Sequence, residues 1–286
     1  MNTDDRQQAR EQGRAIPLSR LRRYVLLGIL ALFFLQYAGI KLLVGGLSGS
    51  VALWSVSLLD IFAFLESLAA ARGLTLAALW AVLPVVALYL VVGRAFCGWV
   101  CPMDFLFAAV DRIRNGKRRK APAAWKPWAG YAVAAGLLII SALMGIPFFT
   151  NYLSHLTNFF RTLTGSVFLV KGFPAEPAVV ACSFLGIAAL LVLEYFSPRL
   201  WCRILCPVGK TNGLFNRVSL LRLRSGGGEC AGCNLCDRTC YMGVRIARHG
   251  EGTTELRDPN CIYCGRCLGD CRAKRRRIQM TLGGDK

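Results

Sequence analysis

Histidine is scarce in this chain. There are only two, His155 and His249. A b-type haem inside a membrane needs a facing pair, and His249 falls in a predicted turn, so that cofactor is not expected. Cys-x-x-Cys-His is absent, which excludes covalently attached haem. Neither a Gly-x-Gly-x-x-Gly fingerprint nor a phosphate-binding P-loop occurs, so the chain brings no site of its own for NADH or ATP. No DNA-binding or signalling domain is visible, which leaves a transcription-coupled redox sensor without an output. Acids are also few, 16 against 35 Lys and Arg, for a net charge of +19. The cations cluster beside apolar runs. That placement fits the positive-inside rule and contact with anionic lipid headgroups, and no nucleic-acid partner is expected.

What the chain has in quantity is apolar residues, 55% of 286, bunched into long runs. Runs near twenty residues with almost no charge predict transmembrane helices. Four are expected, at about 24–45, 75–96, 128–147 and 178–196. The first is too long for a signal-peptide core and has no convincing cleavage site after it, so it is read as retained. Lys41 near its end can snorkel. Pro84 inside the second is tolerable in a membrane. Residues 51–70 are apolar but carry Asp60 and Glu66, and burying both acids in lipid is costly. An amphipathic or re-entrant segment on the far face is expected there. His155 falls in the segment 148–177 and reads as interfacial, as do Asp60 and Glu66, although all three are polar groups that could accept protons from a quinol.

Counting cations sets the orientation. The N-terminus has six, the 97–127 loop seven and the segment from 197 onward seventeen, against one and two in the far-side segments. Four spans with both termini in the cytoplasm, in a bacterial inner membrane, respect this bias. The expected architecture is an α-helical membrane domain of four transmembrane helices plus a small α+β domain. Residues 1–23 form a basic cytoplasmic segment and 24–196 the membrane domain. Residues 197–224 hold the second Cys-x3-Cys-Pro element and a linker, and 225–286 are the small domain.

Thirteen cysteines need an explanation. Eight stand in two runs of identical spacing: Cys230, Cys233, Cys236, Cys240, and Cys261, Cys264, Cys267, Cys271. A Cys-x2-Cys-x2-Cys loop wraps three thiolates onto one face of an iron–sulfur cubane, and the fourth comes from the other run. The expected sets are Cys230, Cys233, Cys236 with Cys271, and Cys261, Cys264, Cys267 with Cys240. Two zinc sites are the alternative, but zinc favours two Cys-x-x-Cys pairs separated by a longer spacer. The segment between the runs, 244–258, reads as a small hairpin around a Gly-containing turn. The small domain is thus expected to be a bacterial-type ferredoxin with two [4Fe–4S] clusters. Tyr241 and Arg272 stand where the bacterial pattern has proline.

Two further pairs repeat one element, aromatic-Cys-x3-Cys-Pro, at the exits of the second and fourth runs. They are Cys97 with Cys101 and Cys202 with Cys206. Three readings stay open beside plain helix-end architecture: a further metal or cluster, a reversible dithiol pair, or contact with the soluble clusters or a partner. Cys182, in mid-span, reads as a small apolar residue without a role.

Four spans, two Cys-x3-Cys-Pro elements and the double cysteine run together resemble the NapH/MauN-type membrane ferredoxins, over about residues 20 to 280. The resemblance implies electron transport from the membrane quinol pool, as a quinol dehydrogenase component. Electrons would pass to a partner ferredoxin or periplasmic oxidoreductase. It matches Cys97, Cys101, Cys202 and Cys206 to the family's paired motifs, and the eight later cysteines to its cluster ligands. The missing prolines depart from the pattern and leave the subgroup open. No catalytic residue is identified. A maturation factor supplying electrons to a metalloenzyme or cofactor centre is the alternative function.

Overall fold

The computed structural model describes residues 18–35, 43–45, 50–53, 56–113, 128–172, 174, 176–225, 235–246, 254–270 and 278–283. One chain path is traced twice. The first copy runs through α1 (Leu18–Leu35) and a small antiparallel sheet of β1 (Leu43–Gly45), β2 (Ser50–Leu53) and β3 (Val56–Leu59). It continues as a hairpin of α2 (Ile61–Ala71) and α3 (Leu76–Val92), then short α4 (Ala95–Trp99) and α5 (Pro102–Ile113). The second copy runs through α6 (Ala129–Met144), a π turn (Phe149–Leu153) and the hairpin of α7 (His155–Lys171) and α8 (Pro177–Phe196). It ends in a second π turn (Trp201–Leu205) and α9 (Pro207–Leu214).

Local chemistry sets the ends of these helices. Asp60 caps α2 by accepting from the Phe62 N–H at 3.0 Å, and Ser154 caps α7 by accepting from Thr157 N at 3.4 Å. Each cap satisfies a donor that the first helical turn leaves orphaned. Proline opens both α5 and α9, the position where its missing N–H costs nothing.

α8, with 20 residues, is long and apolar enough to cross a membrane. α2, α3 and α6 are apolar but shorter. The 17 residues of α3 reach about 26 Å, against a hydrocarbon thickness of about 30 Å. Pro84 sits inside α3 without ending it. Trp80, Leu83, Leu143, Phe184 and Val192 on α3, α6 and α8 point outward, which suits a lipid surface better than water.

Three sequence expectations need correction. Residues 51–70 are not one continuous segment: they form β2, β3 and α2, and Asp60 at the start of α2 hydrogen-bonds Asn212 and lies in electrostatic reach of Cys97 and Cys206. Glu66 is not interfacial. It is sealed from solvent and accepts from Ser141 Oγ at 2.7 Å, Thr150 Oγ1 at 2.6 Å, Thr150 N at 3.0 Å and the Phe149 N–H. Four bonds offset the desolvation of the carboxylate, which then ties α2 to the end of α6. The segment 148–177 is more than a connection: it contains α7, which packs along α8. Thr157, Asn158 and Thr162 lower its hydropathy, while Leu156, Phe160 and Gly165 form its buried side.

The small domain is built on a second antiparallel sheet of β4 (Leu221–Ser225), β5 (Thr254–Leu256) and β6 (Ile278–Leu282), with β4 central. Two short helices, α10 (Leu235–Thr239) and α11 (Arg266–Asp270), flank it. The alternation Leu-Arg-Leu-Arg places Leu221 and Leu223 in the core while Arg222 and Arg224 reach Glu255, as a half-buried strand requires. Among the described residues, the hairpin expected at 244–258 does not pair with itself. Residues 244–246 are not strand, 247–253 (with His249) lie outside the described residues, and β5 pairs with β4 instead. The strand β4 begins ahead of residue 225, in the stretch read as linker.

Candidate metal centre

Cys240 follows α10, Cys261 and Cys264 stand on the loop before α11, and Cys267 lies in α11. All four line one pocket, closed by apolar neighbours that include Leu223, Val244, Ile246 and Leu256. They are one of the two sets expected above, in which the run spacing gives three ligands and the exchange seen in two-cluster ferredoxins the fourth. Tyr263, at φ 48°, turns the loop sharply enough for Cys261 and Cys264 to face the same space. Backbone amides of Met242, Gly243 and Val244 point at the Cys240 sulfur, and that of Tyr263 points at Cys261. Amide donors to sulfur are one of the protein's means of tuning a cluster potential. Burial pushes the Cys240 and Cys261 thiols upward and Cys267 up to about 12. Metal binding would displace those protons outright. Of the other set, Cys236 packs against the same core. Cys230, Cys233 and Cys271 lie outside the described residues.

Four thiols lining one apolar pocket suit a cubane, which takes one thiolate at each iron. Zinc needs its sulfurs at about 2.3 Å from one point. Among the described residues no three His, Cys, Asp or Glu side chains are placed to hold one metal ion. A cubane offers a separate iron to each thiolate, so its ligands stand wider apart.

The two Cys-x3-Cys-Pro elements meet as well. Cys101 lies in electrostatic reach of Cys97, Cys202 and Cys206, and Cys206 in reach of Cys97. None of the four is in a disulfide. Cys206 is the N-cap of α9, and its sulfur accepts from Gly209 N at 3.4 Å. Cys101 precedes Pro102 in the same way and takes the Met103 amide. The proline after each cysteine starts a helix whose positive end faces the sulfur, which favours a thiolate there. Without a metal, burial pushes all four thiols upward, Cys206 to about 12.

His155, read as interfacial from its segment, is 4% exposed, and its Nε2 stands 3.9 Å from Cys101 Sγ. Trp201 Nε1 donates to its Nδ1 at 3.1 Å. Cys182 is exposed on α8.

The two thiol groups are neighbours. Cys97 and Cys202 pack against the apolar core that surrounds the pocket of Cys240 and Cys261. Arg94 stitches the contact: its guanidinium donates to Pro259 O at 3.0 Å and Cys202 O at 2.6 Å, while its amide donates to Asn216 Oδ1 at 2.8 Å. Asn216 in turn donates to Asp258 O at 2.9 Å and Cys261 O at 2.8 Å. Trp99 Nε1 donates to Tyr263 O at 2.9 Å. Gly98 and Gly213 lie so close to Ile262 O and Pro259 O that a Cβ at either would collide with backbone. Sequence reasoning passed over Arg94 and Asn216. The only available signal was a cation at the end of an apolar run, which the positive-inside rule already explained.

A family profile described as a 4Fe-4S binding domain matches residues 73–121 and 180–226. Those are the two Cys-x3-Cys-Pro segments, not the later cysteine runs. The ferredoxin-type protein NapH of Haemophilus influenzae is 31% identical over 88% of this chain and 86% of its own length. The methylamine utilization ferredoxin-type protein MauN of Methylorubrum extorquens is 32% identical over 83% of this chain and 79% of its own. An uncharacterized protein of Methanocaldococcus jannaschii is 29% identical over 65% of each chain, so less than two thirds of that relative is spanned. No solved structure matches.

Proposed function

Because the chain belongs to the family of NapH and MauN ferredoxin-type proteins, we propose that it is a quinol-oxidising electron carrier of a bacterial inner membrane. Its ferredoxin-type, electron-transfer character follows from the family and from the 4Fe-4S domain match. The finer reading is ours. It has four spans, both termini in the cytoplasm and two [4Fe–4S] clusters in the small domain. One cluster is held by Cys240, Cys261, Cys264 and Cys267, the other by Cys230, Cys233, Cys236 and Cys271. The electron acceptor is a partner ferredoxin or a periplasmic oxidoreductase.

Bound clusters supply one-electron chemistry. The chain's own residues do the rest. Four thiols open into an apolar pocket that keeps water from the metal. Arg94, Trp99 and Asn216 hold that pocket against the ends of α3 and α8, so the redox centre stays fixed to the helices that meet lipid. A quinol gives up two electrons, one at a time, and two protons, so an acceptor for protons is needed. Of the three polar groups offered by the sequence, Glu66 is sealed by four hydrogen bonds and His155 is buried. Asp60 keeps partial exposure beside the Cys97 and Cys206 thiols. It is the acid best placed for that task.

The observation that carries this reading is the four-thiol pocket docked on the apolar helices. The test is anaerobic purification in detergent, followed by EPR after dithionite and after a quinol. Cubane signals with dithionite, and electron entry with quinol, are expected. Cubane signals that appear with dithionite while quinol never delivers an electron, even to an added acceptor of high potential, would refute direct quinol oxidation.

A further inference from the structure

We infer that Cys97, Cys101, Cys202 and Cys206 together hold one additional iron–sulfur cubane, shared between the two copies of the repeated chain path and distinct from the clusters of the small domain. Three observations lead there, beginning with ligand number. The segments matched by the 4Fe-4S profile carry only these four cysteines and Cys182. Cys182 is exposed on α8. Neither segment can complete a cubane by itself, but the pair supplies four thiols, and the fold brings them within reach of one another.

Charge gives the second observation. Arg94 is 1% exposed, and among the described residues no carboxylate pairs with it. Its guanidinium meets backbone carbonyls, its Nε has no hydrogen-bond partner among the described residues, and the charges that act on it most strongly are the thiols of Cys97, Cys202 and Cys206. Contrast Arg199, equally buried, which meets Asp104, Asp111 and Glu194. A buried guanidinium facing neutral thiols is left uncompensated, which destabilises the fold. Four thiolates on a cubane, with its net negative charge, supply the missing anion.

Sulfur chemistry supplies the third. Cys206 accepts a backbone amide at 3.4 Å, Cys101 faces the Met103 amide and the imidazole of His155, and Arg94 hydrogen-bonds Cys97. Donors aimed at sulfur suit thiolate ligands, whereas a resting dithiol pair needs none.

The test is iron and acid-labile sulfide per chain of the full-length detergent-purified protein, with Mössbauer spectra to count cubane iron. Wild type should hold about twelve irons, all cubane, since each cubane contributes four. C97S/C202S should lose about a third of that iron while the small-domain EPR signals persist; C261S/C264S should lose a different third. A wild-type protein with about eight cubane irons, all removed by substitutions in the later runs, overturns the inference whether or not C97S/C202S accumulates. Twelve irons that survive C97S/C202S also overturn it. Failure of the small-domain clusters alone would appear as iron retained by wild type that only C97S/C202S removes. That result supports this site and sinks the two-cluster reading instead.

Discussion

Trp201 Nε1 donates to His155 Nδ1 at 3.1 Å, and this bond decides which imidazole nitrogen carries the proton. A neutral ring that accepts at Nδ1 bears its hydrogen on Nε2. That N–H faces Cys101 Sγ at 3.9 Å. His155 is therefore a positioning residue that donates toward a sulfur, not a ligand. Hydrogen bonds to cluster sulfurs raise reduction potentials. With a cluster on the Cys97–Cys206 quartet, His155→Phe should lower its midpoint by roughly 40 mV, the equivalent of about 1 kcal/mol in a one-electron couple. Trp201→Phe, which frees the tautomer, should move it the same way by less. EPR-monitored redox titration reads both, and a midpoint unmoved in both variants would show that the donor has no electrostatic role.

Gly98 stands against the carbonyl of Ile262 with no room for a Cβ. Both partners are backbone, so neither gives way by a rotamer change. Gly98→Ala should wedge α4 away from the Cys261 loop and destabilise the joint by about 1–3 kcal/mol, the usual range for overpacking. The break would be confined to the contact between the small domain and the helices. Limited proteolysis in detergent should cut the variant faster in the link between α9 and β4, residues 215–220, while leaving the helical part intact. Equal cleavage rates would mean the joint tolerates the methyl group.

The legible part of this molecule is what short-range spacing encodes. Two Cys-x2-Cys-x2-Cys-x3-Cys runs announce thiols that must face one another, and the fold brings Cys240, Cys261, Cys264 and Cys267 around one pocket. The repeated Cys-x3-Cys-Pro is equally plain, because proline and cap chemistry act within a few residues. What joins the copies is not local. Arg94 reaches Pro259 and Cys202 across more than a hundred residues, so nothing beside it in sequence marks it. His155 and Glu66 were misplaced for a related reason. Hydropathy registers a polar side chain as a reason to leave the interior, but the partners that satisfy Glu66 come from distant residues, and His155 is buried with its ring accepting from Trp201. Strand β4 escaped notice because its Leu-Arg alternation spans only five residues.

Tyr241 occupies the position after Cys240 where the bacterial pattern has proline, and here it acts as a clamp. Its ring lies 4.4 Å from the guanidinium carbons of both Arg199 and Arg266, and its hydroxyl accepts from Arg22 at 3.0 Å. Arg22 and Arg199 also share Asp104, each at 2.9 Å. One side chain thus gathers α1, the end of α8 and α11. Each cation–π contact contributes about 0.5–2 kcal/mol. Tyr241→Ala should lower thermal stability by about 2–4 kcal/mol while the iron content stays near wild type. Tyr241→Phe should cost only the hydroxyl bond, about 1 kcal/mol. Thermal unfolding followed at the cluster absorption band separates the two. Loss of iron in the Phe variant would show instead that Tyr241 supports cluster binding itself.

Glu255 on β5 ties together Arg222 at 2.9 Å, Arg224 at 3.1 Å and Arg257 at 2.7 Å. Hydrogen bonds from Arg257 and Arg222 hold its carboxyl down from 4.5 to about 2. A carboxylate more acidic when folded stabilises the fold above its unfolded pKa, and that contribution fades as pH falls toward the folded value. The window is therefore from about 4.5 down to about 2. The groups are partly exposed, so salt should weaken the effect. Glu255→Gln should lower the urea midpoint at pH 7. The gap to wild type should narrow steadily as pH drops through that window, and shrink at pH 7 in high salt. Urea unfolding of both proteins by far-UV circular dichroism, at low and high ionic strength, checks the sign. A gap that is constant with pH would mean that packing, rather than charge, makes Glu255 matter to the sheet.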